Sequence, residues 1–178
     1  MSIISKRLSI PDAQLLTLDR YSDDRGYFQE SYATEKYHPL GILDEFVQDN
    51  ISYSHQHVLR GLHGAHRTAK LVQVLHGAIW DVLVDIRPDS PTFQQWEAVT
   101  LSADNRQQLY IPAGCLHGFL TLTDQVIFSY KLSTLYDPNT EFGFRWDDPS
   151  FSISWPITDV PCISKKDQEQ PTFIAGSR

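Results

Sequence analysis

Apolar and polar positions alternate over short stretches along most of the chain. The runs at residues 71–75, 79–86, 107–111, 119–122, 126–132 and 151–155 are rich in Val, Ile, Leu, Phe, Tyr and Trp. Between them stand turn formers, His76-Gly77, Pro88-Asp89-Ser90-Pro91 and Pro112-Ala113-Gly114. Short β-rich runs at close spacing, punctuated by Gly and Pro, predict an all-β antiparallel sandwich or barrel. Helix-compatible sequence is confined to residues 33–37, stopped by Pro39 and Gly41, and to residues 165–169. The chain carries no internal repeat, low-complexity tract or Gly/Ser linker, so residues 1–178 are expected to form one domain.

Side chains two apart on a strand share a face, which turns the pattern into directions. In 126–132 the apolar set is Val126, Phe128, Tyr130 and Leu132, with Ser129 and Lys131 opposite, so Tyr130 points inward. A strand that starts at Lys70 sets its ammonium on the face of Val72 and Val74. A charge there requires an anion or a water-filled cavity beside it.

Composition removes several functional classes. A net charge of −7 with scattered Lys and Arg leaves no footprint for nucleic acid or an anionic membrane. The opening Met-Ser-Ile-Ile-Ser-Lys-Arg lacks a signal-peptide core, and no apolar run approaches the roughly 20 residues that span a bilayer, so the protein is expected to be soluble and cytoplasmic. Cys115 and Cys162 need not pair in a chain of this kind, and Cys115 reads as a small apolar filler.

Chemistry concentrates in Val58-Leu59-Arg60-Gly61-Leu62-His63, with Lys70 seven residues on. Arg60 offers a planar fork suited to a diphosphate, and Arg25 in Asp24-Arg25-Gly26 is a second candidate. An imidazole with an unperturbed pKa near ~6.5 suits proton abstraction at neutral pH, and Gly61 and Gly64 allow close approach to His63. An isolated histidine is more often a hydrogen-bonded core residue, but Arg60 and Lys70 shift the balance here. His117 follows a proline-glycine turn at the start of a strand. The Pro-x-Gly-x-x-His pattern and the pair His55-Gln56-His57 are similar to metal-binding cupins. Yet no Glu follows His57 and no Asn follows His117 at the expected distance, so no metal site is expected.

The ordered motifs from Asp24 through Asp167 carry a resemblance. They include Arg25-Gly26-Tyr27-Phe28 with Glu30, Gln48-Asp49-Asn50, Arg60-Gly61-Leu62-His63, Lys70-Leu71-Val72 and Asp81-Val82 with Val84-Asp85-Ile86-Arg87. His117-Gly118-Phe119, Tyr130-Lys131, Tyr136 with Pro138 and Glu141, Trp155-Pro156 and Lys166-Asp167 complete the set. The chain resembles the dTDP-4-dehydrorhamnose 3,5-epimerases. The resemblance implies a cupin-type jelly-roll with a few short helices that dimerises, uses no cofactor and takes a nucleotide-diphosphate 4-keto-6-deoxy sugar. It also implies that His63 is the base, oriented by Asp167, that Tyr130 returns a proton from the opposite face, and that Lys70 stabilises the enolate. By the same resemblance Arg25 and Arg60 hold the diphosphate, Glu30 and Gln48, Asp49 and Asn50 contact the nucleoside, Tyr136 stacks near the base, and His117 lines the sugar pocket. Glu141 and Lys166 join the substrate-binding set, and the Arg25 segment is expected to reach into the partner subunit's site.

Just after His63 the chain reads Gly64-Ala65-His66-Arg67-Thr68-Ala69, where the common family form has a bulky residue, a glutamine and a longer loop to the lysine. The short segment resembles epimerases of other nucleotide sugars, including GDP-linked heptoses, and relatives that invert one carbon. Epimerisation at carbon 3 or carbon 5 alone, or of a GDP- or CDP-linked sugar, is therefore an open alternative. A metal-dependent cupin enzyme and a non-catalytic sugar-nucleotide-binding cupin are the readings from other classes.

Overall fold

A computed structural model describes residues 2–174. In chain order the strands are β1 (Ile3–Arg7), β2 (Gln14–Leu18), β3 (Tyr21–Asp23), β4 (Gly26–Phe28), β5 (Gln48–His55), β6 (Val58–Ala65), β7 (Lys70–His76) and β8 (Ala78–Asp85). They continue with β9 (Trp96–Ser102), β10 (Gln107–Ile111), β11 (Cys115–Thr121), β12 (Gln125–Leu132), β13 (Glu141–Gly143) and β14 (Cys162–Ile163). Two four-residue helices, α1 (Thr34–Tyr37) and α2 (Lys165–Gln168), are the α-helical segments among the described residues.

Two sheets face each other in a cupin-type jelly-roll. One runs β1-β2-β10-β7-β12-β5, the other β13-β6-β11-β8-β9, with β14 parallel to β6 at its margin. The hairpin β3–β4 stands apart from both. Alternation decides what lies between the sheets. Val72 and Val74 of β7, Val126 and Phe128 of β12, Ile79 and Leu83 of β8 and Phe119 of β11 form the cluster drawn from both. Each large side chain buried there contributes roughly 1.5–3 kcal/mol.

The opposite parities cover the outer faces. Leu71 of β7 packs with Leu16, Tyr37, Ile42 and Tyr110 under the segment carrying α1. Val82 and Val84 of β8 pack with Leu62, Leu116 and Phe151 beneath the aromatic stretch after β13.

The sequence-predicted strands at 71–75, 79–86, 107–111 and 126–132 agree with β7, β8, β10 and β12 to within a residue at either end. The run at 119–122 belongs to a strand that begins earlier, at Cys115. Residues 151–155 form no strand. There Ser152 has φ 50°, and Phe151, Ile153 and Trp155 pack on the outer face of the second sheet, while Trp155 Nε1 donates to the Trp146 carbonyl at 2.9 Å. Their alternation imitated a strand, yet side-chain packing without ladder bonds holds them. Both cysteines are free, and burial pushes the Cys115 thiol up to about 12.

Candidate active site

Between the sheets, at the end where β7 begins opposite the close of β12, lies a cavity of about 460 Å³. One sheet contributes Lys70 and Tyr130, the other Arg60, His63 and His117, and α2 contributes Lys166 and Asp167.

Arg60 and His63 are three apart on one strand, which would ordinarily set them on opposite faces. A bulge resolves this. His117 pairs with His63 and Phe119 with Arg60, so two steps along β11 match three along β6. Gly61 sits at the irregularity with φ 128°, where a Cβ would lie 2.6 Å from the Gly118 Cα. Glycine at 61 and 118 lets the two strands meet closely enough for both side chains to reach the cavity.

His63 Nε2 lies 2.7 Å from Asp167 Oδ1. Ser164 caps α2, its Oγ accepting the Asp167 N–H at 3.1 Å, and Asp167 Oδ2 accepts from the Gly61 N–H at 3.4 Å. Burial raises the Asp167 pKa, but the His63 contact, the Gly61 N–H and the Ser164 side chain outweigh it and hold the carboxyl below its ordinary value. The ionised carboxylate accepts a hydrogen bond from Nε2 and fixes the orientation of the ring.

A second imidazole–carboxylate pair stands beside the first. His117 Nε2 lies 2.9 and 3.0 Å from the two oxygens of Asp81, and both residues are buried. Burial raises the Asp81 pKa, with His117 and Lys70 acting against the rise. Desolvation pushes Lys70 down to about 8, opposed by Glu141 and Asp81, and its Nζ donates to the His63 carbonyl at 3.3 Å. Tyr130 faces these groups from β12, and burial raises its phenol pKa, so it stays protonated. Asp81 was not singled out for the site by sequence reasoning, although it shares parity with Ile79 and Leu83. An acid on an apolar face requires a buried partner, and that signal was legible.

At the mouth, Lys166 Nζ bonds Glu141 Oε2 at 2.5 Å and the Tyr136 hydroxyl donates to the same oxygen at 3.4 Å. Burial raises the Glu141 pKa, but Lys166, His63 and Lys70 lower it further. Gln48 and Asn50 line the wall formed by β5. Eleven of the fourteen residues singled out from the sequence thus converge on one cavity. Arg25, Glu30 and Asp49 do not line it. Arg25 pairs with Asp23, its side chain 90% exposed, Glu30 with Lys36, and Asp49 with Lys131.

Residues 64–69 touch the cavity in part. Gly64, Ala65 and Thr68 line it, and a side chain added at Gly64 would meet the Phe142 ring at 2.9 Å, in the outer aromatic cluster. The missing bulk at 64 is thus balanced on the outer face by Phe142, which also packs against His66. Among the described residues, no group of three or more His, Cys, Asp or Glu side chains is arranged to hold a metal ion.

A cupin-type jelly-roll with paired imidazoles and carboxylates around a lysine and a phenol defines a class, that of proteins equipped for acid–base chemistry on a bound ligand. Comparison with known proteins supplies the family. Residues 7–174 match the family model described as dTDP-4-dehydrorhamnose 3,5-epimerase. The dTDP-4-dehydrorhamnose 3,5-epimerase of Escherichia coli strain K12 is 46% identical over 166 residues, covering 91% of this chain and 90% of that protein. The crystal structure of the Bacillus anthracis str. Ames enzyme of that name, with TDP and PPi bound, superposes with a TM-score of 0.93 at 43% identity, covering 97% of this chain and 100% of that one. The dTDP-6-deoxy-D-glucose-3,5-epimerase of Legionella pneumophila Philadelphia 1, in complex with dTDP-4-keto-L-rhamnose, gives 0.92 at 41% identity, covering 96% and 92%. The chain belongs to the dTDP-4-dehydrorhamnose 3,5-epimerase family.

Proposed function

We propose that the protein inverts carbons 3 and 5 of dTDP-4-keto-6-deoxyglucose, without a metal or organic cofactor, by proton removal on one face of the sugar and return on the other. One observation carries the reading: the His63–Asp167 pair and the Tyr130 phenol project from facing sheets into one cavity, with Lys70 beside them. Both carbons flank the carbon 4 ketone, so one acid–base pair and one cation serve each inversion. His63 Nδ1 takes the proton from the carbon and becomes imidazolium. The electron pair moves onto the ketone oxygen as an enolate that the Lys70 ammonium stabilises. Tyr130 then protonates the carbon from the opposite side, and proton exchange with solvent restores the neutral imidazole and phenol.

Around this centre Arg60 holds the diphosphate, and His117, oriented by Asp81, contacts the sugar. Gln48, Asn50 and Tyr136 take the nucleoside end, with Glu141 and Lys166 at the mouth. The Arg25 hairpin, Glu30 and Asp49 complete the site of a second copy in a homodimer. Two features support that last element. The hairpin exposes Tyr21, Tyr27 and Phe28. Edge strand β5 also turns its apolar residues outward, Ile51 being 70% exposed. Light scattering is expected to give a particle of twice the 20.4 kDa chain mass, and a monomer with full activity would contradict the shared site.

No helix among the described residues is long and apolar enough to cross a membrane. The nucleotide and the sugar are tested together. Proton NMR of the wild-type protein with dTDP-, GDP- and CDP-linked 4-keto-6-deoxyglucose is expected to show inversion at both carbons of the dTDP sugar. Inversion of one carbon would make it a mono-epimerase, preference for GDP or CDP would replace the nucleotide assignment, and inversion of none would contradict the reading as a whole.

A further inference from the structure

The wall formed by β5 is a polar row. Burial alternates along the strand, so Gln48, Asn50, Ser52 and Ser54 face inward while Asp49, Ile51, Tyr53 and His55 face out. Three of the inner four are bonded. Gln48 Nε2 donates to Asn50 Oδ1 at 3.0 Å, the Tyr136 N–H donates to Gln48 Oε1 at 2.8 Å, and Arg60 Nε donates to Ser54 Oγ at 3.1 Å. Ser52 differs. Among the described residues, its Oγ is the one buried side-chain polar atom without a hydrogen-bond partner, and the residue lines the cavity.

Buried hydroxyls are bonded in the great majority of proteins, and leaving one unpaired is destabilising. An unpaired hydroxyl on a residue that lines a cavity points to a partner that arrives with a ligand. The neighbours say which part of the ligand. Ser52 lies between Asn50 and Ser54, and Ser54 anchors Arg60, whose guanidinium spends Nε on Ser54 and Nη2 on the Tyr53 carbonyl. Nη1 remains for a ligand anion. A phosphoryl oxygen only accepts hydrogen bonds, and a hydroxyl donating to a charged acceptor makes a stronger bond than a neutral pair.

We infer that Ser52 is a substrate-binding residue: its hydroxyl donates to a phosphoryl oxygen of the nucleoside diphosphate that Arg60 holds. Its Oγ is buried in the unliganded chain, so the contact requires a change of the Ser52 rotamer that turns the hydroxyl toward the cavity. This rests on the nucleotide-sugar reading above and adds to it a contact specific for the phosphate.

The test uses Ser52→Ala with dTDP, GDP and CDP, ligands that carry no sugar, by isothermal titration calorimetry, together with thermal unfolding of the unliganded proteins. Wild type is expected to bind one of the three, and Ser52→Ala to bind the same nucleotide roughly 10-fold more weakly. The unliganded variant should melt no lower than wild type, because the substitution removes an orphan hydroxyl. Equal affinity in the two proteins overturns the role of Ser52 and leaves the epimerase reading standing. A weaker affinity with a lower unliganded melting temperature also overturns it, since the hydroxyl would then have a structural partner. A wild-type protein that binds none of the three overturns the epimerase reading itself, and this inference with it.

Discussion

Replacing His63 with asparagine is expected to lower epimerisation by about 10²–10⁴-fold, the range that a positioned general base supplies. Asparagine keeps a polar group beside Asp167 but has no basic lone pair with which to take a carbon-bound proton. Because His63 is partly exposed to the cavity and not a core filler, the fold should survive, with its thermal midpoint near that of wild type. Proton NMR of the 4-keto sugar reads the rate. Turnover within a few-fold of wild type would remove His63 from the mechanism.

Lys70→Met should cost about 10²–10³-fold in turnover, the effect of removing one donor from a developing oxyanion. Its pH dependence carries a sign that separates chemistry from stability. With its pKa pushed down to about 8, Lys70 loses its charge as pH rises through that value, so turnover should fall on the alkaline side. Stability moves the other way. Between about 8 and the ordinary 10.5 the folded chain binds fewer protons at this position than the unfolded chain, so this contribution to stability rises with pH across that window. Below about 8 it is constant. Lys70→Met should accordingly melt no lower than wild type at neutral pH while losing turnover, and Lys70→Arg should flatten the alkaline limb. A loss of turnover that follows a loss of melting temperature would assign Lys70 to packing.

Much of the site was legible because its groups break a rule at their own positions. Lys70 on the face of Val72 and Val74 violates the apolar parity of its strand, Tyr130 follows the parity of Phe128 but carries a hydroxyl inward, and both line the cavity. Asp81 breaks the same rule and was passed over as a site residue, since an acid inside a strand also satisfies a structural reading. Strand β5 was missed for a physical reason. Its inner residues are Gln48, Asn50, Ser52 and Ser54 and its outer ones include Ile51 and Tyr53, the inverse of the usual pattern. A strand whose inner face is polar and lines a cavity and whose outer face is apolar does not read as a core strand.

The bulge at Gly61 was equally invisible. Counting two residues per repeat sends Arg60 and His63 to opposite faces, and only pairing with β11 shows the extra residue that reunites them. The run at 151–155 failed in the opposite direction, because alternation there serves packing against an outer sheet face. What strand patterning could not convey is long-range, and the His63–Asp167 pairing was expected only through the family resemblance. The bond between His63 and Asp167 joins residues 104 apart, and it forms because α2 docks beside β6.

The central claim is that protons leave and return at the carbons flanking the ketone, taken by His63 and replaced by Tyr130. Incubation with dTDP-4-keto-6-deoxyglucose in deuterated water, followed by NMR, tests it most directly. Wild type should place deuterium at carbons 3 and 5 with inversion at both, and Tyr130→Phe should exchange both positions while inverting them far more slowly. Inversion without deuterium at either carbon, or unchanged inversion in Tyr130→Phe, would contradict the account.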